Sequence, residues 1–452
     1  MIKSMTEGNP LSLLIPFMVP LLIGNIFQQL YNISDIIIVG RLIGIDALAA
    51  VGAVSPLFML TVFVTFGLSS GFSVITGQRF GAKDLEGVRR SIASSITLSI
   101  ITIAIIILVF NCIIDTFLNI LNVPPHLIAD GTDYTMIIVN GLGAMMAYNL
   151  LSSVMRALGD SKTPLYALIL SSIINIGLAI FFVGPMHWGV PGSAYAMVVA
   201  QLFSALVCIL WIYYKSPELH IHLKDFTLNW GEMWEHLRMG LPMAAHFSVL
   251  GIGIVVMQSV TNSFGADTIA GFTAALRVEQ LCTQPMVSAG LAMAVYTAQN
   301  FGAHRFDRIR EGVKVMSFCS FCYGIGAALI IWYFGEQIVS LFLDHPNEEV
   351  LWAARNYIIY SVFCYFCLGQ IFIYRNALQG IGLGLLPLCG ALVELLARCG
   401  SALLLAPHIG YTAVCIAEPI SWVSSSSLFA GCYYYFINVL EHGYKTGLRD
   451  ED

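Results

Sequence analysis

Long apolar runs separated by short polar breaks follow one another from Leu11 almost to the C-terminus. Each run is long enough for a helix of about 20 residues, the length that crosses a bilayer. Outer-membrane barrels instead show segments of about 10 residues with alternating polarity, and a run such as 96–111 has no such alternation. The chain is therefore predicted to be an all-α membrane protein. Its twelve predicted spans are 11–38, 47–77, 89–114, 130–155, 165–184, 191–214, 236–262, 267–298, 312–335, 350–376, 384–406 and 411–437.

The composition agrees with a membrane location. Of the 452 residues, 58% are hydrophobic and 11% are charged, whereas soluble domains carry roughly 25% charged residues. The net charge of −6 gives no sign of a nucleic-acid partner. The N-terminal segment lacks the short apolar region and small-residue cleavage site of a signal peptide, so we expect the first span to be retained.

Basic residues are concentrated in alternate loops. The loops on the other side offer little beyond Arg41 and Arg355. The positive-inside rule places the basic loops, and with them both termini, in the cytoplasm. We therefore expect an integral, multi-pass protein of the cell (inner) membrane that contacts membrane lipids. The basic loop residues are Arg79, Lys83, Arg89, Arg90, Arg156, Lys162, Lys215, Lys224, Arg305, Arg308, Arg310 and Lys314.

Two sequence blocks recur at a displacement of 221 residues. GIDALAAVGA (44–53) corresponds to GADTIAGFTA (265–274), and GQRFGAKD (77–84) corresponds to AQNFGAHR (298–305). With six spans in each half, the second half enters the membrane in the same direction as the first. The halves are therefore predicted to be related by a pseudo-two-fold axis along the membrane normal. Duplications of this kind are typical of transporters, whose substrate sites lie near the repeat interface.

The longest polar connection, KSPELHIHLKDFTLNWGE, separates the two halves. The predicted organisation is an N-terminal lobe of six helices at 1–217, a cytoplasmic interlobe linker at 218–232 and a C-terminal lobe of six helices at 233–452.

The first span contains a stripe of polar residues within GNIFQQLYNISDIIIVG (24–40). On a helix these side chains fall within an arc of about 120°, and Tyr31 lies beside that arc. An ionised carboxylate in the bilayer is costly, so such residues usually face a bundle interior or a cavity. The stripe is predicted to line a cleft, and hydration of Asp35 near the outer end of the span is the alternative. The members of the stripe are Asn25, Gln28, Gln29, Asn32 and Asp35.

Six stretches have an informative order and spacing: PLLIGNIFQQLYNISDIIIVGRLIGIDALAAVG (20–52), GQRFGAKD (77–84), MRALGDSKTPLY (155–166), SSIINIGLA (171–179), GVPGSAYA (189–196) and AQNFGAHR (298–305). Through them, the chain resembles the multidrug and toxic compound extrusion (MATE) transporters over essentially its whole length. The resemblance implies two six-helix bundles around a central cleft and alternating access. It also implies export of bulky organic cations and similar toxic compounds, driven by the inward flow of protons or sodium.

The resemblance also assigns residues to a cation-coupling site in the first lobe. The first-helix acidic residue of the family falls on Asp35, and Asn175 matches an asparagine that is expected to hydrogen-bond near that carboxylate. Many members carry an aspartate four residues after this asparagine, but this chain has Ala179. Since a sodium ion needs several oxygen ligands, this departure favours proton coupling.

The second lobe departs from the family pattern as well. Leu250 stands where some members carry a carboxylate. The lobe offers other candidates for the coupling site or the substrate cleft. Glu279 is one, because Arg277, two residues away on the same helix, points to a different face. Glu394 and Arg398 are spaced i, i+4 and can meet on one helix face, where they could couple ions or only hold the lobe together.

Histidine and cysteine residues are further candidates for chemistry. His246, one turn after Pro242, could titrate near neutral pH or bind a ligand, or it could be a packing residue. The two Cys-x-x-Cys pairs, at 319–322 and 364–367, lie within apolar spans, where cysteine behaves as a small hydrophobic residue. No metal site is predicted.

These features predict a cation-coupled secondary antiporter and not an enzyme. A carboxylate in an apolar cleft binds either a proton or a cationic substrate, and competition between the two gives antiport. A sodium-driven drug antiporter and a flippase for lipid-linked saccharides are the alternatives, and the flippase would need several cationic residues in the cleft. We expect small organic substrates, mostly cationic, H+ or Na+ as the coupling ion, no cofactor beyond that ion gradient, no nucleic acid, and a monomer.

Overall fold

The structure is a computed structural model that describes residues 3–120, 127–216, 219–340 and 347–446. In these ranges the chain forms α-helices joined by turns, including a 3₁₀ turn at Leu223–Asp225, and no β-strand. The predicted all-α fold is therefore confirmed. The helices are α1 (Pro10–Leu42), α2 (Ile45–Gly81), α3 (Leu85–Ile120), α4 (Ile128–Asn140), α5 (Leu142–Ala157), α6 (Lys162–Val183), α7 (Gly189–Lys215), α8 (Trp230–Asn262), α9 (Ala266–Gly302), α10 (Phe306–Ser340), α11 (Glu348–Val362), α12 (Tyr365–Ile381), α13 (Leu385–Ile409) and α14 (Thr412–Thr446).

Most of these helices can cross a membrane. Within the described ranges, nine are long and apolar enough, and the number becomes eleven when each of two bent pairs counts as one span. The bent pairs are α4 with α5, at 45°, and α11 with α12, at 54°. The remaining predicted span, 267–298, coincides with α9, which is 37 residues long but is not among those eleven. Each of the twelve predicted spans thus overlaps one helix or one bent pair.

A glycine marks the first bend. The sequence predicts one continuous span at 130–155, but α4 ends at Asn140 and α5 begins at Leu142. A Cβ on the intervening Gly141 would lie 2.3 Å from the side chain of Val198 in α7. The missing side chain at Gly141 therefore lets α7 pass close to the break.

The duplication is visible in the helices themselves. Helices α1 and α8 have 33 residues each, and α2 and α9 have 37 residues each. The residues before α2 and α9 are Gly44, with φ 126°, and Gly265, with φ 95°. A positive φ favours glycine because it has no Cβ. The repeat in sequence thus reflects the same backbone built twice.

Packing divides the chain into two compact units. Unit 1 comprises the described residues of Met1–Ser4 and Val19–Ala244, and unit 2 comprises those of Met5–Met18 and Ala245–Asp452. One division falls between Ser4 and Met5, before α1, and the other two fall inside α1 and α8, so that the first part of each of these helices belongs to one unit and the rest to the other. The lobes 1–217 and 233–452, expected from the repeat, remain a prediction.

Unit 1 is apolar on its outer faces as well as in its interior. Phe72 and Leu158 are buried in its core, while Ile100 and Leu108 of α3 are 62% and 66% exposed. In a bilayer, lipid chains contact such outward side chains, and helices suit this environment because their backbone hydrogen bonds are made internally. Polar residues buried inside the unit therefore need a specific explanation.

Candidate coupling sites in the two units

Asp35 of α1 is buried inside unit 1. It is 6% exposed, and its Oδ1 accepts a hydrogen bond of 2.7 Å from the hydroxyl of Ser193 near the start of α7. Within the described chain, no cationic side chain pairs with this carboxylate. Sequence reasoning missed Ser193, although this residue lies in the stretch GVPGSAYA that supports the family resemblance.

Two tyrosines accompany Asp35. Tyr31 and Tyr134 are both buried in the same apolar cluster of unit 1, within electrostatic range of the carboxylate. The Tyr31 hydroxyl has no hydrogen-bond partner among the described residues. Tyr134, on α4, had no signal in the sequence pattern. The surroundings of Asp35 thus combine one serine, two tyrosines and apolar side chains.

The other residues of the polar stripe differ in exposure, although their common arc predicts that they share one environment. Asn25 and Gln28 are half-buried, and Gln29 is exposed. The side chain of Asn32 lies outside the part of the chain that the structure describes. The buried face of this part of α1 includes Tyr31, Asp35 and two aliphatic residues one turn further along. Tyr31, beside the predicted arc, therefore lies on the interior face.

Asn175 of α6 is completely buried, yet neither its Oδ1 nor its Nδ2 has a hydrogen-bond partner within the described chain. An unsatisfied buried polar group costs about 1–3 kcal/mol. One turn along α6, Ala179 packs with Ile38 of α1 and Ala196 of α7. Asn175 therefore makes no hydrogen bond to Asp35 in this structure, and its role near that carboxylate remains a prediction.

Unit 2 contains a cluster of charged side chains around Arg398. Its Nη2 lies 2.6 Å from Oε1 of Glu394, one turn earlier on α13, and 2.9 Å from Oε2 of Glu418 on α14. The side chains of all three residues are about 10% exposed. The predicted spacing thus brings Glu394 and Arg398 together, and the fold adds Glu418, which sequence reasoning did not place in the site.

Glu279 of α9 is the third carboxylate of this region. The hydroxyl of Tyr357 on α11 donates a hydrogen bond of 3.0 Å to its Oε2, and Glu279 lies within electrostatic range of Glu418 and Arg398. Arg277 is exposed, and its guanidinium donates to Gln280 at 3.4 Å. With Glu279, Glu394 and Glu418 all ionised, Arg398 leaves two negative charges uncompensated within this group.

The partners of His246 fix the protonation of its ring. Nδ1 lies 2.9 Å from the carbonyl oxygen of Pro387, which only accepts, and Nε2 lies 3.2 Å from Nη1 of Arg375, which only donates. Both bonds form only when Nδ1 carries the proton and Nε2 does not. The geometry therefore holds a neutral His246 in a packing position, and a role in ligand binding or proton transfer remains a prediction.

The cysteine residues agree with an apolar role. All four cysteines of the two Cys-x-x-Cys pairs are free thiols. Among the described residues, no three or more His, Cys, Asp or Glu side chains are grouped so as to hold a metal ion.

A family model named MatE matches residues 20–181 and 242–400, which is more than half of the chain. This chain belongs to the MatE family. Members of the family are multidrug transporters, so the prediction of a transporter and not an enzyme is confirmed. The match starts at α1 and includes both Asp35 and the Arg398 region.

Curated proteins support this MatE assignment. The probable multidrug resistance protein YoeA of Bacillus subtilis is 28% identical over 82% of this chain and 81% of its own length. A probable multidrug resistance protein NorM of Thermotoga maritima is 23% identical over 74% and 72%. An FAD transporter of Shewanella oneidensis is 23% identical over 80% of each chain.

Solved structures show the same fold. A multidrug resistance MATE family transporter of the MOP superfamily in an outward-facing conformation has a TM-score of 0.89 to this chain at 24% identity. A MATE transporter in a bent conformation has a TM-score of 0.90 at the same identity. Each comparison covers 97% of this chain and 98% of the other. The MatE-family chain thus shares the fold of these proteins.

Proposed function

We propose that this MatE-family protein is a proton-driven antiporter that exports amphipathic organic cations by alternating access. Asp35 is the carboxylate that binds the proton and the cation in turn. The observation that supports this role is its burial with a single neutral hydrogen-bond partner, Ser193, and without an ion pair in the described chain. The protein acts as a monomer and uses no cofactor other than the ion gradient.

The environment of Asp35 gives a physical reason for antiport. An ionised carboxylate in a membrane interior costs free energy unless a positive charge accompanies it. A proton and an organic cation each supply that charge, and they cannot both do so at once. A proton that enters from outside therefore displaces the substrate, and substrate binding from the cytoplasm releases the proton.

The cluster around Arg398 is a second region in which a carboxylate could gain or lose a proton. Glu394 and Glu418 share one guanidinium, while the hydrogen-bond donor to Glu279 within the described part of the chain is the Tyr357 hydroxyl. A carboxylate removed from water without a counter-charge is unfavourable, and Glu279 is half-buried. Glu279 is therefore the member of this group that we expect to take up a proton or to attract a cationic substrate.

Sodium coupling is the alternative for the ion. The side-chain hydroxyls near Asp35 in the described chain include those of Ser193, Tyr31 and Tyr134. Ala179 packs against aliphatic side chains where a further carboxylate would stand in other members. This set suits one proton better than a sodium ion with several ligands.

Reconstituted liposomes test the proposal. Wild-type protein is expected to move a fluorescent organic cation when a pH gradient is imposed, and Asp35→Asn is expected to abolish that movement. The amide oxygen of Asn can still accept the hydrogen bond from Ser193, so folding should be preserved. Asp133→Asn, an exposed carboxylate on α4, is the matched control and should transport as the wild type does. Transport by Asp35→Asn at the wild-type rate, or uptake driven by a sodium gradient alone, would contradict the proposal.

A further inference from the structure

The repeated motif builds the same turn at two places. GQRFGAKD (77–84) ends α2 and AQNFGAHR (298–305) ends α9. Lys83 has φ 62° and His304 has φ 55°, a conformation that residues with a side chain rarely adopt. Because the backbone is alike, the difference between the copies lies in their side chains and in what those side chains hold.

In unit 2, the second copy holds the segment that leads into α1. The backbone N–H of Met5 donates to Oε1 of Gln299 at 2.8 Å, and Nδ2 of Asn300 donates to the Met5 carbonyl at 3.1 Å. Arg308 of α10 donates to the same carbonyl at 3.3 Å and to Oδ1 of Asn300 at 3.0 Å. All four residues are buried. Both backbone groups of Met5 are therefore bound by polar side chains away from solvent.

In unit 1, the first copy holds the start of α8. Arg79 pairs with Glu235 at 2.9 Å and with Glu232 at 3.4 Å. One turn along α8, His236 is completely buried and its Nε2 lies 2.8 Å from the hydroxyl of Ser91 on α3. The first turns of α8 are therefore bound to α2 and α3 by an ion-pair group and a buried hydrogen bond.

Glycines bring α2 and α8 into close contact within unit 1. A Cβ on Gly67 would lie 2.5 Å from Cα of Ala244, and a Cβ on Gly71 would lie 2.5 Å from Cα of Gly240. Two small residues four positions apart let helices in membranes approach closely. The first part of α8 is therefore packed into unit 1 along its length, and its binding is not limited to surface charges.

We propose that the two copies of the motif are paired clamps for the leading helices of the repeat. The copy at 298–305 fixes the segment before α1 in unit 2, and the copy at 77–84 fixes the start of α8 in unit 1. Helix α1 then continues into unit 1, where it carries Asp35, and α8 continues into unit 2. Gln299 and Asn300 are thus positioning residues for transport, because they hold one end of the helix that bears the coupling carboxylate. This inference rests on the proposed function of Asp35.

Variants of Gln299 test the clamp at α1. Gln299→Ala removes the acceptor for the Met5 N–H, whereas Gln299→Glu keeps an acceptor oxygen at that position. Asp307→Asn is the matched control, since it breaks only an exposed pair with Arg305 at the same turn. Two quantities are measured for each protein: hydrogen exchange of the peptide that contains Met5, and transport turnover per substrate-binding site in liposomes.

We expect Gln299→Ala to accelerate exchange at Met5 by about tenfold, the effect of one lost buried hydrogen bond. Its turnover should fall while the dissociation constant of the substrate stays unchanged, because no cleft residue is altered. Gln299→Glu keeps the acceptor for the Met5 N–H, so its exchange at Met5 should be slower than that of Gln299→Ala, and Asp307→Asn should behave as the wild type does. Wild-type hydrogen exchange at Met5 in Gln299→Ala would overturn the proposal. Faster exchange at Met5 with wild-type transport turnover would overturn it as well. If wild-type liposomes show no transport, the proposed function fails, and the exchange measurement still decides whether the clamp exists.

Discussion

Asp160 shows how one side chain can organise a helix that carries a candidate site residue. It precedes α6, the helix of Asn175, and its Oδ1 accepts the backbone N–H groups of Lys162 and Thr163 at 3.1 Å each. Its Oδ2 accepts the Thr163 hydroxyl at 2.7 Å. Burial by itself would raise the pKa of the Asp160 carboxyl, but several interactions together, the hydrogen bonds from Thr163 among them, hold the pKa below its usual value. The ionised form is therefore the one that stabilises the fold.

Asp160→Ala is expected to lower the stability of the folded protein by about 1 kcal/mol at neutral pH, as loss of a helix cap does. The pKa is lower in the folded state, so this stabilisation is present above the unfolded-state pKa. It is lost as the pH falls through the folded-state pKa. The melting temperatures of the two proteins in detergent should therefore converge as the pH is lowered from 7. A difference that stays constant with pH would contradict this account.

Helix packing in unit 2 depends on small residues where α12 crosses α9. A Cβ on Gly380 of α12 would lie 2.7 Å from the carbonyl oxygen of Ala294 and 3.0 Å from the backbone nitrogen of Ala298. Both obstacles are backbone atoms, which cannot rotate away as a side chain can. The segment NALQG (376–380), which ends at this glycine, is similar to RALGD (156–160) in the first half of the chain, and the structure supplies the reason for a small residue at 380.

Gly380→Ala is expected to destabilise the protein by about 1–3 kcal/mol, because α9 and α12 must move apart. Gly400→Ala is the control, since nothing lies within 4 Å of a Cβ at that position in α13. That change should be neutral or stabilising by up to about 1 kcal/mol, as for glycine in a helix interior. Melting temperatures in one detergent give both values, and equal effects of the two changes would rule out the close contact.

For the molecule as a whole, the placement of basic loops predicts where the chain ends lie. The two copies of the repeat have their helices in the same order. The positive-inside rule then places both termini in the cytoplasm.

A fluorescent protein fused after the last residue should therefore fluoresce, and alkaline phosphatase fused there should be inactive. The same reporters placed after Met186, in the turn between α6 and α7, should give the opposite pair of results, because that turn is expected on the outer side. Active phosphatase at the C-terminus would invert the topology.

Much of the fold could be predicted because it follows from local chemistry. A bilayer leaves helices as the structure for long apolar runs, so each predicted span falls on a helix or a bent pair of helices, although the breaks within 130–155 and 350–376 could not be predicted. The i, i+4 spacing of Glu394 and Arg398 predicted a contact that the structure contains. The buried position of Asp35 was also expected, since its polar stripe interrupts an otherwise apolar helix.

The partners of these residues were beyond prediction because they come from distant parts of the chain. Ser193 lies 158 residues from Asp35, and Glu418 reaches Arg398 from another helix. Tyr357 and Arg375 are likewise brought to Glu279 and His246 by the packing of helices. No spacing rule connects such positions, since their meeting depends on crossing angles and on which face each helix turns inward.

The sequence by itself thus determined the helices, the duplication, the family resemblance and the candidate carboxylates. Each of these follows from a local pattern: long apolar runs, the helical period or a repeated block. The folded chain adds the neutral state of His246, the two carboxylates that share Arg398, and the turn motifs that hold Met5 and Glu235. These depend on hydrogen bonds between side chains from separate helices. Such bonds have narrow limits of distance and angle, and only the packed structure sets the two groups within them.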